Sequence, residues 1–281
     1  MAGIEKRKLE FGDRLRDLHE QTGLTGRALA QRLGWQSSKV SRIVQGKQTP
    51  TDSDLRQWLT ACGASESVVR EMTDELRELR LDYSTWRRQL RGGMAARQQS
   101  WVDLARDTTT FRIVESSAVP GLVQTPEYAR HVFRAVSELH EVPRDIDEAV
   151  AARMQRQEVL YDPSKRFEIL VFEAALRYPV APAGAMAGQI DRLMTVAALP
   201  SVRFGVIALD TVLPNVPMHG YWIADDAVLV ETVAAELTIT DPDALALYDR
   251  LTDRLWTVAA EDDAARAILV ACAGRWAHHA R

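Results

Sequence analysis

The side chains best suited to recognition chemistry are concentrated between Gln36 and Gln45. At helical spacing, five of them share one face, which we call the polar face: Ser37, Ser38, Ser41, Arg42 and Gln45. This face offers hydroxyl and amide groups that donate and accept hydrogen bonds, one guanidinium, and no acid. The apolar residues Val40, Ile43 and Val44 lie opposite at i, i+3, i+4 spacing. The segment is therefore predicted to be an amphipathic helix with a polar, acid-free outer side.

Two short helices on either side of Gly34 must position the polar face. The first is predicted over 25–33, with Thr25 as its N-cap. Gly34 then supplies the backbone freedom that a tight inter-helix turn requires. The second helix starts at 36–37 and ends at Gly46. This spacing is typical of a helix-turn-helix unit.

Three further helices complete the N-terminal part of the chain. They are predicted over 9–21, from Thr51 to a stop at Gly63, and from residue 65 or 66 to residue 80. In each of them the apolar residues recur every three or four positions. The sequence therefore predicts a compact, all-α head of five helices within residues 1–82.

The segment GLTGRALAQRLGWQSSKVSRIVQGKQTP, residues 23–50, resembles the XRE, or lambda-repressor-like, DNA-binding family. A family of this kind lays its third helix in the major groove of DNA. The resemblance implies, by position, that four side chains face base edges: Gln36, Ser37, Ser38 and Arg42. It implies that four others hold phosphates and set the register: Thr25, Lys39, Gln45 and Lys47.

Arg42 is the strongest candidate for reading a base. Its guanidinium can bond O6 and N7 of one guanine together, whereas serines select less sharply. The alternative is a small helical bundle whose polar face is merely solvated, and periodicity alone does not decide between the two. The family resemblance favours the DNA-binding interpretation.

A helical linker is predicted over residues 83–106, because the apolar period continues from Val68 through Leu79 and Tyr83 to Leu90. Gly92-Gly93 interrupts it before a further helical segment. Its other side is basic: Arg87, Arg88, Arg91 and Arg97. That side indicates a dimer helix, an extra phosphate contact or a solvated face, and we favour the solvated face.

Residues 107–281 alternate between predicted strands and helices. The strands are predicted at 108–117, 167–172, 202–209 and 220–233, the last as a hairpin about Asp225-Asp226. The helices are predicted at 126–137, 145–161, 186–198, 242–256 and 264–278. The chain is therefore predicted to be multi-domain, with an all-α helix-turn-helix head and an α/β or α+β C-terminal domain containing one sheet.

Four segments of the C-terminal domain carry a second resemblance. They are VPGLVQTPEYAR (119–130), RMQRQEVL (153–160), ILVFEAALRYPV (169–180) and AMAGQIDRL (185–193). Together they resemble the uncharacterised domain that follows XRE-type heads in WhiJ-like, toxin-antitoxin-like actinobacterial transcriptional regulators. The resemblance implies a regulator that acts with a small partner protein.

Three acids could do catalysis if the fold brought them together. Glu115, Glu173 and Glu231 lie on or just after predicted strands, with His219 and Arg177 as candidate neighbours. Carboxylates at strand ends can carry out acid-base chemistry. Such acids more often pair with arginine or cap helices, and no phosphate-binding glycine loop or nucleophile elbow accompanies them. We therefore expect no enzymatic activity, no cofactor and no metal site.

The best place for a ligand or partner peptide is the region around Pro120 and Gln124. The candidate cleft consists of Pro120, Gly121, Gln124, Glu173 and Arg177.

The length and the charge distribution of the chain fit a two-domain regulator. The chain has 281 residues and a net charge of -4, made up of +4 over residues 1–60 and -8 over the remainder. A basic head on an acidic body suits a nucleic-acid reader joined to a domain that does not bind nucleic acid. Cys62 and Cys272 are expected to be buried free thiols. No run resembles a signal peptide or a membrane span, so we expect a cytoplasmic protein that associates with the nucleoid when bound to DNA.

We therefore expect a sequence-specific DNA-binding transcriptional regulator. Its partners would be a double-stranded DNA operator, a second copy of the chain, and a ligand or small partner protein whose signal the C-terminal domain receives. The alternative is an antitoxin-like interaction module that restrains a small partner, with DNA binding serving autoregulation.

Overall fold

A computed structural model describes residues 2–85, 90, 93–142 and 145–279. The chain forms two compact units, Met1–Asp82, which we call the head, and Tyr83–Arg281, which we call the body. No helix within the described ranges is both long and apolar enough to span a lipid bilayer.

The head consists of five helices, as the sequence predicts. They are α1 (Ala2–Gln21), α2 (Gly26–Leu33), α3 (Ser37–Val44), α4 (Asp52–Ala61) and α5 (Glu66–Arg80). Their apolar sides meet in one core around the fully buried Trp58, whose indole Nε1 donates a hydrogen bond to the backbone oxygen of Leu15 at 3.2 Å. The head thus has a core of its own.

Local signals fix the ends of the short helices. Thr25 is the N-cap of α2, and its hydroxyl oxygen accepts a hydrogen bond from the amide of Ala28 at 3.2 Å. Gly34 closes α2 with a φ of 68°, a left-handed conformation that favours glycine. Thr51 and Asp54 form a capping box at the start of α4. The predicted cap and turn residues of the helix-turn-helix unit are confirmed.

Residues 81–281 contain one mixed sheet with helices on both faces. Its strands are β1 (Leu81–Thr85), β2 (Thr110–Glu115), β3 (Arg166–Phe172), β4 (Val202–Ile207), β5 (Tyr221–Ala224), β6 (Ala227–Glu231), β7 (Ala235–Ile239) and β8 (Ala260–Glu261), in the order β1-β7-β6-β5-β2-β3-β4-β8. Its helices are α6 (Met94–Asp107), α7 (Pro126–His140), α8 (Ile146–Arg156), α9 (Glu173–Arg177), α10 (Ala183–Ala197), α11 (Pro242–Trp256) and α12 (Asp262–His279). The predicted α/β or α+β fold with one sheet is confirmed.

The middle of the sheet is parallel and its flanks are antiparallel. Strands β2, β3 and β4 run parallel, with Ile113 opposite Ile169 and Ile169 opposite Phe204. β5 to β7 form a meander that joins β2 on one side, and the predicted hairpin turn lies at Asp225-Asp226. Alternate residues of each strand face opposite sides of the sheet. One face of the sheet packs against α6, α7, α10 and α12, and the other face packs against α11. The carboxyl end of β2 therefore lies beside the amino end of β5.

The predicted helical linker is wrong at its start, because residues 81–85 form strand β1 at the edge of the sheet beside β7. Tyr83 and Thr85 favour extended backbone, and pairing with a sheet edge leaves no trace in an apolar period. The later part of the linker is helical as α6. The predicted basic residues Arg87, Arg88 and Arg91 lie outside the described residues.

Other differences from the sequence prediction are local. The helix predicted over 145–161 ends at Arg156 and continues as a 3-10 turn over Gln157–Tyr161. Strands β7 and β8 and the short α9 were not predicted, since each has five residues or fewer and shows no clear period. Both cysteines are free; Cys272 is buried and Cys62 is half-buried.

Candidate nucleic-acid interface

The polar face is exposed along its whole length in the structure. Ser37, Ser38, Ser41, Arg42 and Gln45 are all exposed, as are Gln36 and Lys47 at its two ends. On the opposite side of α3, Val40 and Ile43 are buried in the head core. Gln36 is the N-cap of α3, but its side chain makes no capping bond. The structure thus brings the four predicted base-reading side chains to one surface.

Arg42 is held in place by the turn that follows α3. Its Nε donates a hydrogen bond to Oε1 of Gln48 at 3.1 Å. The backbone oxygen of Arg42 in turn accepts bonds from the amides of Lys47 at 2.9 Å and Gln48 at 3.2 Å. The guanidinium is therefore oriented before any ligand arrives. Gln48 was missed by the sequence analysis because it lies past Gly46, outside the helical period.

Two glycines set the distance between α1 and α3. A Cβ placed on Gly12 would lie 2.4 Å from the backbone oxygen of Val44 and 2.7 Å from that of Ile43. Gly46 has a φ of 68°, and a Cβ placed on it would lie 2.9 Å from the backbone nitrogen of Leu9. Helix α3 therefore sits directly on the backbone of α1, which fixes the height and tilt of the polar face.

Lys39 has a partner inside the head. Its Nζ lies 2.6 Å from Oδ1 of Asp54 and 4.0 Å from the ring centre of Trp35. The prediction that Lys39 holds a phosphate therefore receives no support, because its ammonium already has a carboxylate partner on α4. The pairing joins residues fifteen positions apart on two helices, which a periodicity argument cannot foresee.

The ion pair makes the head sensitive to acid. Burial alone would raise the pKa of Asp54, but hydrogen bonds from Lys39 and Thr51 outweigh it and lower the pKa. A carboxyl with a lowered pKa stabilises the fold above its unfolded pKa of about 3.9 and loses that contribution as the pH falls through its folded value.

We therefore expect Asp54→Asn to lower the free energy of unfolding at neutral pH by about 1–2 kcal/mol, because the ionic bond to Lys39 is lost. Urea unfolding at neutral pH and below about pH 4 measures the effect. The difference in the free energy of unfolding between Asp54→Asn and the parent chain should become smaller in acid. A difference that stays constant with pH would contradict the ionic bond between Lys39 and Asp54. Asp17→Asn, which removes an exposed carboxyl from α1 of the same head, is the control.

The remaining predicted phosphate contacts are exposed. Thr25 lies at the start of α2, Gln45 bonds Ser41 at 3.2 Å through its side-chain amide, and Lys47 follows α3. Helix α2 has no acidic residue in its first turn, so its positive end is not neutralised by the head itself. Thr25 and Gln45 already make hydrogen bonds within the head, but among the described residues neither they nor Lys47 bond a carboxylate as Lys39 does, so a phosphate meets no competing acid there.

The candidate cleft of the body divides into two separate clusters. Pro120, Gly121 and Gln124 pack with the buried side chains of α8; a Cβ placed on Gly121 would lie 2.8 Å from Nη2 of Arg156 and 3.3 Å from Cζ of Arg153. Glu173 and Arg177 instead pair with each other, the guanidinium Nε donating to the carboxylate at 2.8 Å. The five residues therefore fall into two groups with different partners, and a single cleft stays a prediction.

Buried amides fix the segment that carries Gly121. Gln189 on α10 accepts a bond from the Thr125 amide at 2.7 Å and donates to the Val123 oxygen at 2.9 Å. Gln157 donates to the Gln124 oxygen at 2.6 Å. Three of the four segments on which the second resemblance rests thus meet at this point.

Two of the three acids considered for catalysis, Glu173 and Glu115, have different hydrogen-bond partners. Glu173 accepts bonds from Arg177 and from the amide of Leu209 at 3.0 Å. Glu115, at the end of β2, accepts a bond from Nε1 of Trp222 at 2.9 Å, and burial together with the charge of Glu231 raises the pKa of Glu115 to about 8. Within the described ranges, no group of His, Cys, Asp and Glu side chains is arranged to hold a metal ion.

Similarities to known proteins follow the two units. Residues 10–72 match a helix-turn-helix domain, and residues 98–270 match a domain of unknown function, DUF5753. The two resemblances seen in the sequence are thereby confirmed, one for the head and one for the uncharacterised domain of the body. No curated protein matches the chain. A solved structure of TrmBL2, an archaeal chromatin protein described with a novel mode of DNA binding, is 14% identical over 75% of this chain and 68% of that chain, with a TM-score of 0.35. That TM-score is too low to support an argument.

Proposed function

The chain belongs to the DUF5753 family, and from this premise and its helix-turn-helix head we propose that it is a sequence-specific DNA-binding transcriptional regulator. The observation that carries the proposal is the exposed, acid-free polar face of α3, with Arg42 already oriented by Gln48. A helix of this kind presents hydrogen-bonding side chains to base edges in the major groove.

Phosphate contacts on both sides of α3 complete the proposed interface. Thr25 at the positive end of α2, Gln45 and Lys47 set the register on the DNA. Lys39 is left out of this set because its ammonium bonds Asp54. Its bond to Asp54 instead stabilises the packing of α3 against α4, so Lys39 contributes to DNA binding only indirectly.

The body is proposed to dimerise and to receive the signal that controls binding. One helix-turn-helix head makes few base contacts, and two heads on related half-sites supply the specificity that a single head lacks. Glu173 is paired with Arg177, which supports a role of the body without catalysis.

Selection of bound sequences from a randomised DNA library, followed by genome-wide mapping of bound sites, tests the proposal. We expect a motif with two symmetry-related half-sites whose centres lie about one helical turn of DNA, or a multiple of it, apart. A library from which no motif is enriched above non-specific binding would overturn the proposal. Salt must be held constant, because phosphate contacts make affinity fall steeply with ionic strength.

A second candidate function is restraint of a small partner protein. It is favoured by the loop between β4 and β5, where Val212 is 89% exposed, Val216 72% and Met218 88%. Exposed apolar side chains this close together favour a protein contact. Sedimentation of the full chain and of the double variant Val212→Asp/Met218→Asp separates the two. Dissociation of a dimer by the double variant assigns the loop to dimerisation, and an unchanged dimer leaves it for the partner.

A further inference from the structure

Two arginines of the body are buried without a carboxylate partner. The side chain of Arg153 is 9% exposed and that of Arg156 is 3% exposed. Arg153 donates only to neutral amides, through Nε to Gln98 at 3.2 Å and through Nη1 to Gln124 at 2.5 Å. In the part of the chain that the structure describes, neither guanidinium forms an ion pair.

Arg156 lies between two tryptophan rings. Its Cζ is 5.2 Å from the ring centre of Trp101 and 5.5 Å from that of Trp222. The Nε of Arg156 is buried and finds no acceptor among the described residues. The bare backbone of Gly121 lets Nη2 approach from a third side. The two rings contact the guanidinium, while its Nε lacks a hydrogen-bond acceptor among the described residues.

Other arginines of the body have the carboxylate partners that Arg153 and Arg156 lack. Arg112 bonds Glu168 at 2.7 Å and Asp249 at 2.8 Å, and Arg203 stacks on Trp256 while bonding Glu261 at 2.8 Å. Arg97, which also contacts Trp101, pairs with Glu236. A buried guanidinium without such a partner is costly, because desolvation is not offset by an opposite charge.

We propose that Arg156, with Arg153 beside it, is the binding site for the carboxylate or phosphate group of a small anionic molecule. The inference rests on the proposed sensing role of the body and names the class of signal. A planar guanidinium bonds both kinds of oxyanion through two parallel hydrogen bonds. Trp101, Trp222 and Gly121 position the guanidinium, and the amides of Gln98 and Gln124 hold Arg153.

The neighbouring charges suit an anion. Burial, and then the charge of Arg153, lower the pKa of Arg156 well below its ordinary value, and the negative charge of Glu231 offsets them only in part. A bound anion would act in the same direction as Glu231. The carboxyl of Glu115, which bonds the same Trp222, is largely protonated at neutral pH because its pKa is raised to about 8. It therefore adds little repulsion toward an incoming oxyanion.

Thermal unfolding of the full chain tests the site, with inorganic phosphate, acetate and chloride titrated at equal ionic strength. We expect a saturable rise in Tm with phosphate or acetate over chloride, as ligand binding to the folded state requires. Whichever of the two acts at the lower concentration identifies the oxyanion. In R156M the half-saturating concentration should rise about 10-fold or more, since a charge-assisted hydrogen-bond pair is lost.

The control R203M removes an arginine that also stacks on a tryptophan but has a carboxylate partner. It should keep the anion response of the parent chain. R156K, which retains the charge without the planar fork, should show an intermediate half-saturating concentration, and it replaces R156M if that variant does not fold. Absence of a saturable response in the parent chain, or an equal response after substitution of Arg156, would overturn the site.

The anion test and the DNA-binding test can fail independently of each other. A chain that selects a DNA motif but shows no anion response loses only the ligand site. A chain that shows an anion response dependent on Arg156 but enriches no motif loses only the DNA-binding role. If both hold, repeating the motif affinity measurement with and without the anion shows whether the site regulates the head.

Discussion

Arg42→Ala is expected to weaken binding to the selected motif by about 1–3 kcal/mol, about 5- to 150-fold, and to relax the preference at one base position. The loss follows from geometry. Arg42 is the cationic side chain of the polar face, it is exposed, and its Nε is bonded to Gln48, which leaves the two terminal nitrogens for a ligand. A guanidinium in this position matches O6 and N7 of guanine.

Lys47→Ala is the matched control, because it removes one exposed cation just beyond the same helix. A phosphate contact carries no sequence information, so this variant should lose affinity for all sequences alike and reduce the salt dependence of binding. Affinities for a library of single-base variants of the motif distinguish the two. If Arg42→Ala also lost affinity uniformly at every position, Arg42 would be a phosphate contact and not a reader of bases.

Gln48→Ala offers a finer check of the same geometry. It leaves the guanidinium in place but removes the 3.1 Å bond that orients it. We expect a smaller loss of affinity than for Arg42→Ala, concentrated at the same base position, because an unrestrained side chain must be ordered on binding. A shift at a different base position would show that Gln48 itself reads the DNA.

The elements that the sequence predicts well are those whose signal is local. The apolar sides of α2 and α3, the caps at Thr25 and Gly34 and the turn at Asp225 all lie within a few residues of the pattern that predicts them. Strand β1 is not predicted, because the apolar period of three and four residues continues past Leu79 although the residues that follow pair with a sheet edge. Extrapolated periodicity carries no information about pairing.

The candidate sites divide in the same way. Exposure of the polar face follows from helical periodicity alone. The pairing of Lys39 with Asp54, and the meeting of Gln98, Gln124 and Arg153, join residues 15, 55 and 29 positions apart. Such contacts depend on how helices are arranged in space. A sequence pattern predicted a ligand near Gly121 and Gln124, but only the fold shows that two buried arginines without a carboxylate partner lie against them.

The height of α3 above the head core depends on Gly12, and Gly12→Ala is expected to lower the free energy of unfolding of the head by about 1–3 kcal/mol. Alanine is ordinarily the better helix former by about 1 kcal/mol, so the substitution would stabilise α1 if there were room. There is none, because the new Cβ would lie 2.4 Å from the backbone oxygen of Val44, and a backbone oxygen cannot rotate aside. Helix α3 must therefore move.

Gly26→Ala is the control for Gly12→Ala, since Gly26 also lies in a helix of the head but its nearest neighbour, a side-chain carbon of Val40, is an ordinary 3.6 Å from the Cβ position. It should be neutral or stabilising by about 0.4–1 kcal/mol. Thermal unfolding measures both, at about 4–8 °C per kcal/mol for a unit of this size. Because Gly12 is packed beneath α3, its substitution should also reduce motif affinity without changing base preference. Equal behaviour of the two variants would mean that α3 does not rest on α1, and that the polar face is positioned by α2 and α4 alone.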